Sequence, residues 1–450
     1  MKLDPWGPGQ VEDYAKLRAE FGLGVVDDAT WEGIKDLSPI FERGIVFAHR
    51  GLDPVVDAIR KGDPFGVMTG LMPSGKMHLG HKTVIDQCIW YQKQGADVHI
   101  AIADFEAYAA RGFTIPEAQK LGLEEYVLTY LALGLDPKKA EVYFQTKRSR
   151  VKDLAYRLGL YVNWATMKAL YGFEDSVRLA HVNAPLMQAG DILHIQGADL
   201  GGPRPTVVPV GVDQDPHLRL TRDLAAATRI FSVTETKDKK IGVFVKPEKP
   251  PRDVTSLLSD VEAILRRDLG YGDLKRNDAY RAIYVGGANA HDIARIDLAL
   301  GQYEAKELGE PGHFAPASTY HRFMTGLVAG PDGKPGKMSS SKPETAIFIT
   351  DDPKDVEKKV KRAVTGGRAT EEEQRRLGAN PHACSVYELY LYHLANDKVL
   401  AEVYDECTTG KRLCGQCKLQ ALDLMQAKLK EIREKREASR HLVKEIVSEQ

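Results

Sequence analysis

Phe65-Gly66-Val67-Met68-Thr69-Gly70-Leu71-Met72-Pro73-Ser74-Gly75-Lys76-Met77-His78-Leu79-Gly80-His81 is the stretch whose reading decides the fold. Phe65 to Thr69 reads as a short apolar strand and Met72 to Gly75 as a Pro/Gly turn. From His81 the apolar residues Val84, Ile85, Cys88 and Ile89 recur at helical spacing as far as Gly95, a residue suited to a helix C-terminus. Further out, Val98 to Ala103 is a second strand, Pro116 to Leu133 a helix and Ala140 to Gln145 a third strand. Pro205 to Val210 is another buried strand, followed by the turn Gly211-Val212-Asp213-Gln214 and a helix from about His217. Strands alternating with helices of this length predict an α/β fold, a Rossmann-like doubly wound parallel sheet.

That pattern bounds the domains. Residues 65–352 form the catalytic-type α/β domain, and 1–64 an N-terminal extension without evident chemistry. Residues of about 231–312 are an insertion marked by the Lys/Pro-rich piece Lys246-Pro247-Glu248-Lys249-Pro250-Pro251. From Pro353 to the end (353–450) the chain turns helical and charged, with Leu422, Met425, Leu429 and Ile432 at three- and four-residue spacing, which predicts a separate all-α domain. The charges nearly cancel, 62 Lys plus Arg against 63 Asp plus Glu, so any nucleic-acid contact must use local basic patches. No apolar run reaches the length of a membrane helix, and Met1 to Gln10 lacks the blocks of a signal peptide. The expectation is a soluble, cytoplasmic protein with no membrane partner.

The chemistry begins where the first helix starts. His78-Leu79-Gly80-His81 at a strand–turn–helix junction places two imidazoles and free backbone N–H groups where anions are favoured, and Gly80 leaves room for a base or sugar. Downstream, a loop dense in Gly and Pro runs from Gly330 through Lys337-Met338-Ser339-Ser340-Ser341-Lys342. A mobile lysine and hydroxyls suit a group that closes on a triphosphate. Alone, the first motif reads equally as two histidines beside a turn and the second as a solvated loop. Their pairing in this order favours the functional reading.

The two motifs match the HIGH and KMSKS signatures of class I aminoacyl-tRNA synthetases. Within that class the chain most resembles the tryptophanyl-tRNA synthetases of archaeal type. Supporting segments are Ala184-Pro185-Leu186-Met187-Gln188-Ala189-Gly190-Asp191-Ile192-Leu193 and Val210 to Asp223. The resemblance covers roughly 64–230 and 313–440. Many relatives carry a second lysine where Ser340 stands, which shifts the load onto Lys337.

The resemblance implies an enzyme that joins an amino-acid carboxylate to ATP, with Mg2+ on the leaving pyrophosphate, and then passes the acyl group to the terminal ribose of tRNA(Trp). It assigns His78, His81, Lys337, Ser339 and Ser340 to catalysis, and Ser74, Gly80, Gly211, Asp213, Gln214, Met338 and Ser341 to ATP. Met68, Gly70, Gln188 and Asp191 fall to the amino acid, and a homodimer is implied; Glu106, two residues after Asp104 at a strand end, reads equally as a partner for the substrate ammonium and as a surface carboxylate. Asp191 aligns with an aspartate used for indole in tryptophanyl and for phenol in tyrosyl relatives. Met68 offers an indole a soft apolar surface and a hydroxyl no donor, which favours tryptophan over tyrosine. Rival readings are a tyrosine–tRNA ligase, a small-molecule nucleotidyltransferase, which would lack the second loop and the helical tail, and a non-catalytic RNA-binding paralogue. DNA is not an expected partner.

Cys384, Cys407, Cys414 and Cys417 are spaced C-x22-C-x6-C-x2-C, a thiolate set for zinc or a [4Fe-4S] cluster. Some tryptophanyl relatives with this spacing hold [4Fe-4S] beside the anticodon-reading surface, so the resemblance favours iron–sulfur over Zn2+ and makes the helical tail an anticodon-binding domain. Lys411, Arg412 and Lys418 would meet the anticodon. Lys147-Arg148-Ser149-Arg150 would either touch the acceptor arm or form a solvated face. Cys88 reads as a core residue.

Overall fold

Thr206–Gly211 (TVVPVG) is apolar on both faces, and such a strand needs helices above and below it. The computed structural model describes residues 13–247, 250–330, 333 and 335–447. Met1–Gln10, Glu248 and Lys249 of the Lys/Pro-rich piece, and Pro331, Asp332 and Lys334 of the loop lie outside the described residues.

In chain order the strands are β1 (Gly24–Val25), β2 (Val46–Arg50), β3 (Gly66–Leu71), β4 (Asp97–Ile102), β5 (Ala140–Phe144) and β6 (Thr206–Gly211). They continue with β7 (Phe231–Glu235), β8 (Ile241–Val245), β9 (Leu274–Asn277), β10 (Ala282–Val285) and β11 (Ala317–His321). The main sheet has the order β1-β2-β11-β6-β3-β4-β5, parallel from β11 to β5. The doubly wound expectation holds, with one difference at the edge. β2 runs antiparallel to β11 and β1 antiparallel to β2, so residues read as an N-terminal extension cover the flank of β11. Arg50 of β2 pairs with the buried Asp215 at 2.9 Å, which also accepts the Tyr320 hydroxyl at 2.6 Å, and this ties the segment to the sheet.

Between β3 and β6 the winding reverses. Their ladder stops after Val67↔Val207, and Pro209 has no N–H to extend it. The strands part there and open a crevice at their carboxyl ends, where ligands of such sheets bind.

The predicted strands lie within a residue or two of those observed. The helix after the HxGH turn spans Leu79–Lys93, and Gly95 follows it with φ 101°. The helix expected over 116–133 is interrupted by a wider turn at Gly122–Val127.

The insertion is a sheet of its own, β7-β8-β10-β9, antiparallel throughout. The helices Val254–Ala263 and Asp292–Tyr303 pack on it around a core that includes Phe231, Val243, Leu257 and Ile283. Its anchor is the buried Arg229, which meets Glu304 and Asp297 at 2.9 Å each, while Glu304 accepts the Ile230 and Phe231 N–H groups. A buried charge group this fully paired is tolerated where a half-paired one is not.

In the helical tail, Leu422, Met425, Leu429 and Ile432 are all buried on the long helix Cys414–Ala438, as their spacing predicts. Among the described residues no helix is long and apolar enough to cross a membrane.

Candidate active site

The sheet crevice continues into a cavity of roughly 1400 Å³. Every residue that the sequence assigned to catalysis, ATP or the amino acid lines it, from Met68 on β3 to Ser341 on the distant loop.

His78 caps the helix Leu79–Lys93. Its Nδ1 accepts the Gly80 N–H at 3.0 Å, His81 Nδ1 accepts the His78 N–H at 3.2 Å, and the two rings stack with centroids 3.8 Å apart. The Leu79 N–H donates to Ile347 O, and the His81 and Lys82 N–H groups donate to His78 O. The backbone donors expected to be free are therefore all taken, because the cap needs them itself. Gly80 makes room for a neighbour of its own: a Cβ there would sit 2.9 Å from His78 Cε1.

Burial, reinforced by Lys337, lowers both imidazoles, His81 to about 4; His78 is lowered further by His81. With each Nδ1 accepting, the proton is assigned to Nε2. The pair offers two neutral N–H donors and no charge.

The charge comes from the loop. Lys337 Nζ lies 3.0 Å from Asp213 Oδ2 and 4.9 Å from the centre of the Phe323 ring. Burial raises the Asp213 carboxyl and Lys337 opposes that. Gly211 is required here, since a Cβ would come within 2.8 Å of both Asp213 Oδ1 and Phe323 Cε1. Met338 is buried in the core, the Ser339 and Ser341 hydroxyls are bonded at 2.9 Å, and Ser340 Oγ donates to Lys76 O at 3.3 Å. The loop thus rests against the Pro73–Gly75 turn.

At the other end of the cavity Asp191 is buried on the helix Leu179–His194. It accepts Tyr143 O–H at 2.9 Å and the Gln145 amide at 2.5 Å. Burial raises its carboxyl to about 7, with those two donors opposing. Met68 lies beside it, buried, its sulfur 3.9 Å from the Tyr143 hydroxyl. Gln188, one turn before Asp191, donates to Gln214 Oε1 at 3.4 Å, and Glu106 stands in the first turn of the helix Asp104–Arg111. Gly70 closes β3 against Ala101, and Ser74 bonds Tyr126.

Sequence reasoning did not single out Tyr143, Gln145 or Phe323. The available signal was Gln145, a polar residue ending an apolar strand at the carboxyl edge of the sheet. The basic run Lys147–Arg150 is divided: Arg148 is buried against Glu141 and Arg150 pairs with Asp199. Arg148 is therefore unavailable to a tRNA acceptor arm.

The four tail cysteines line one small cavity between Thr365-Gly366, Tyr387 and the start of the long helix. They are free thiols, and Cys88 is buried apart from them in the main core. Among the described residues no group of three or more His, Cys, Asp or Glu is arranged to hold a metal ion. The surroundings nevertheless suit a bound group. Cys384 Sγ accepts the Tyr387 N–H at 3.4 Å, and a Cβ on Gly367 would lie 2.8 Å from Cys414 Sγ. Burial, and then the Cys384 and Cys414 thiols, push Cys407 up to about 11; burial, and then chiefly the Cys384 thiol, push Cys417 up to about 12. Four thiolates can coexist here only around a cation. Of the basic residues nearby, Arg412 is held by Glu406 and Gln420, Lys418 donates to Lys361 O, and Lys411 is exposed.

Comparison with known proteins agrees with this arrangement. A family described as "tRNA synthetases class I (W and Y)" matches residues 60–249 and 299–430. A tryptophan–tRNA ligase of Thermoplasma acidophilum is 42% identical over 438 residues, covering 97% of this chain and 98% of its own. One of Methanosarcina acetivorans is 43% identical over 440 residues, covering 98% and 97%. The crystal structure of the tryptophanyl-tRNA synthetase from Aeropyrum pernix superposes with a TM-score of 0.73 at 36% identity, covering 100% of both chains.

Proposed function

This chain belongs to the class I tRNA synthetases of the tryptophan and tyrosine family, and from that premise we propose that it is a tryptophan–tRNA ligase. It joins tryptophan to ATP, releases pyrophosphate, and transfers the tryptophanyl group to the terminal ribose of tRNA(Trp). The observation that carries this reading is the cavity itself, which holds His78, His81 and Lys337 at one end and Met68 with Asp191 at the other.

The tryptophan carboxylate attacks the α-phosphorus in line, and negative charge moves onto the bridging and β-phosphate oxygens. His78 and His81 donate from Nε2 as neutral dipoles, and Lys337 supplies the positive charge. To do so Lys337 leaves Asp213, freeing that carboxylate for the ribose hydroxyls, with Gln214 beside it. Ser339 and Ser340 orient the loop, while Ser74, Gly80, Gly211, Met338 and Ser341 shape the ATP site. Mg2+ enters on the phosphates of ATP. Gly70 leaves space at the end of β3, Glu106 receives the substrate ammonium, and Asp191 accepts the indole N–H, with Gln188 as a second polar contact.

The four cysteines would hold a [4Fe-4S] cluster. The four thiols line one small cavity, and soft thiolates in this number suit such a cluster, with a single zinc as the alternative. The cluster would staple the start of the long helix to Cys384 and Cys407, and Lys411 stands exposed beside it for the anticodon. A homodimer accords with the uncovered apolar side chains Tyr156, Leu160 and Leu179, and a cytoplasmic location with the work of aminoacylation.

Amino-acid-dependent ATP–pyrophosphate exchange, run with each of the twenty amino acids, tests the reading. Tryptophan alone should stimulate it; stimulation by tyrosine instead overturns the substrate, and no exchange overturns the enzyme. Iron, sulfide and zinc analysis after anaerobic purification tests the cluster, which one zinc and no iron per chain would refute.

A further inference from the structure

Asp191 is supported from behind by residues the activation chemistry does not employ. Tyr143 is fully buried in β5, outside the cavity, and gives its hydroxyl to Asp191 Oδ1 at 2.9 Å. The Arg148 guanidinium lies over its ring, 4.4 Å from the centroid. Arg148 pairs with Glu141, and Glu141 lies 3.2 Å from His99 Nδ1. The other ring nitrogen of His99 is 3.1 Å from Asp97, which meets Arg204 at 2.8 Å. Charges of alternating sign thus run along β4 and β5 from Asp97, at the amino end of β4, to the floor of the amino-acid end of the cavity. Burial works against a charge on His99, but a carboxylate at each ring nitrogen prevails and raises its pKa.

We propose that Tyr143, clamped by Arg148, is a positioning residue for tryptophan, fixing Asp191 as an oriented, ionised acceptor for the indole N–H. The proposal rests on the reading that Asp191 takes the indole. A buried carboxylate with a donor on each oxygen keeps its charge and its rotamer. Without the Tyr143 hydroxyl, Oδ1 loses its donor, the carboxylate turns more freely, and it takes a proton more readily. Protonated, it would set an O–H against the indole N–H, donor against donor. The other groups that face Asp191 are Gln145 after β5, Glu106 and Asp104 on the neighbouring helix, and His194 on its own helix, which burial keeps neutral. Both acids oppose the ionised form, which makes the Tyr143 and Gln145 donors decisive.

Exchange kinetics on the full chain, followed from about pH 5.5 to about pH 9, test this. In the native enzyme kcat/KM for tryptophan should rise with pH through a midpoint of about 7. Tyr143→Phe should raise KM for tryptophan about tenfold, leave kcat and KM for ATP within about twofold, and move that midpoint upward. An unchanged midpoint and an unchanged KM for tryptophan overturn the proposal. Should Tyr143→Phe fail to fold, Arg148→Met must show the same upward movement, and a native midpoint in that variant overturns it equally. Asp191→Asn separates the two levels: a native KM for tryptophan there defeats the indole reading, whatever Tyr143 does.

Discussion

The catalytic cavity and the cysteine corner are both assembled from side chains distant in the chain, yet they treat charge in opposite ways. In the cavity the histidines are neutral, and the loop cation is already partnered by Asp213. Its polar groups are arranged before any ligand arrives. In the corner four like groups stand together, and each ionised thiol would repel the rest. As thiols they are uncharged, and the proposed cluster would be what lets them ionise together. The cavity is preorganised for a transient charge, whereas the corner is neutral as it stands.

The largest effect should follow from Lys337→Ala. With both imidazoles neutral, Lys337 is the cation whose charge acts on both of them, so exchange should slow by about 100- to 1000-fold, with little change in melting temperature. A loss of less than about tenfold, read by single-turnover adenylate formation, would mean that an imidazolium shares the load and would break the contrast. In the corner the balance reverses. Cys407→Ser or Cys417→Ser should abolish iron binding and lower the melting temperature by roughly 5 °C, while tryptophan-dependent exchange stays within about threefold. Exchange that falls in step with iron content would show that the two regions are not independent.

Much of this was legible in the sequence because it is carried by local pattern. The strand–turn–helix around His78 and the buried spacing of Leu422, Met425, Leu429 and Ile432 need only neighbours in the chain to be read. The sheet edge was not legible. Val46–Arg50 joins β11 across some 270 residues, and its place is fixed by the Arg50–Asp215 pair, which no local period encodes. The same limit hid Tyr143 and Gln145, whose role exists only once β5 lies under the helix bearing Asp191. The HxGH motif was found but its electrostatics were not. The sequence suggests free N–H groups, which self-capping takes up, and it does not show that burial keeps both imidazoles neutral.

Acid should distinguish the regions next. His81, His313 and His321 are lowered by burial to about 4, and His194 and His217 to about 3, all within the catalytic body. The unfolded chain takes up their protons near pH 6.5 and the folded chain does not. The stability from these groups is complete above about 6.5 and declines as the pH falls toward 4, because the unfolded state then binds more protons. Thermal melts at pH 7.5 and 5 should show this decline. A melting temperature that is flat over this window would mean that the rings are charged in the fold and that the cavity is not neutral after all.

The smallest effect concerns an element that reaches both regions. The helix Cys414–Ala438 begins at a cysteine of the corner, and near its other end Arg436 reaches the wider turn Gly122–Val127. Arg436 donates to Glu124 O at 2.6 Å, to Glu125 O at 3.1 Å and to the Thr129 hydroxyl, which itself donates to Glu125 O. Tyr126 of that turn lies with its ring 5.9 Å from His81 and donates its hydroxyl to Met72 O. Arg436→Met keeps the apolar stem and removes the donors. It should cost about 1–3 kcal/mol in denaturant unfolding, because two part-buried carbonyls lose a charged donor, and should slow exchange only a few-fold. A cysteine variant combined with Arg436→Met then measures the coupling. Additive losses in stability and exchange keep the cavity and the cysteine corner separate, whereas a double variant no worse than either single one would make the long helix a mechanical link between them.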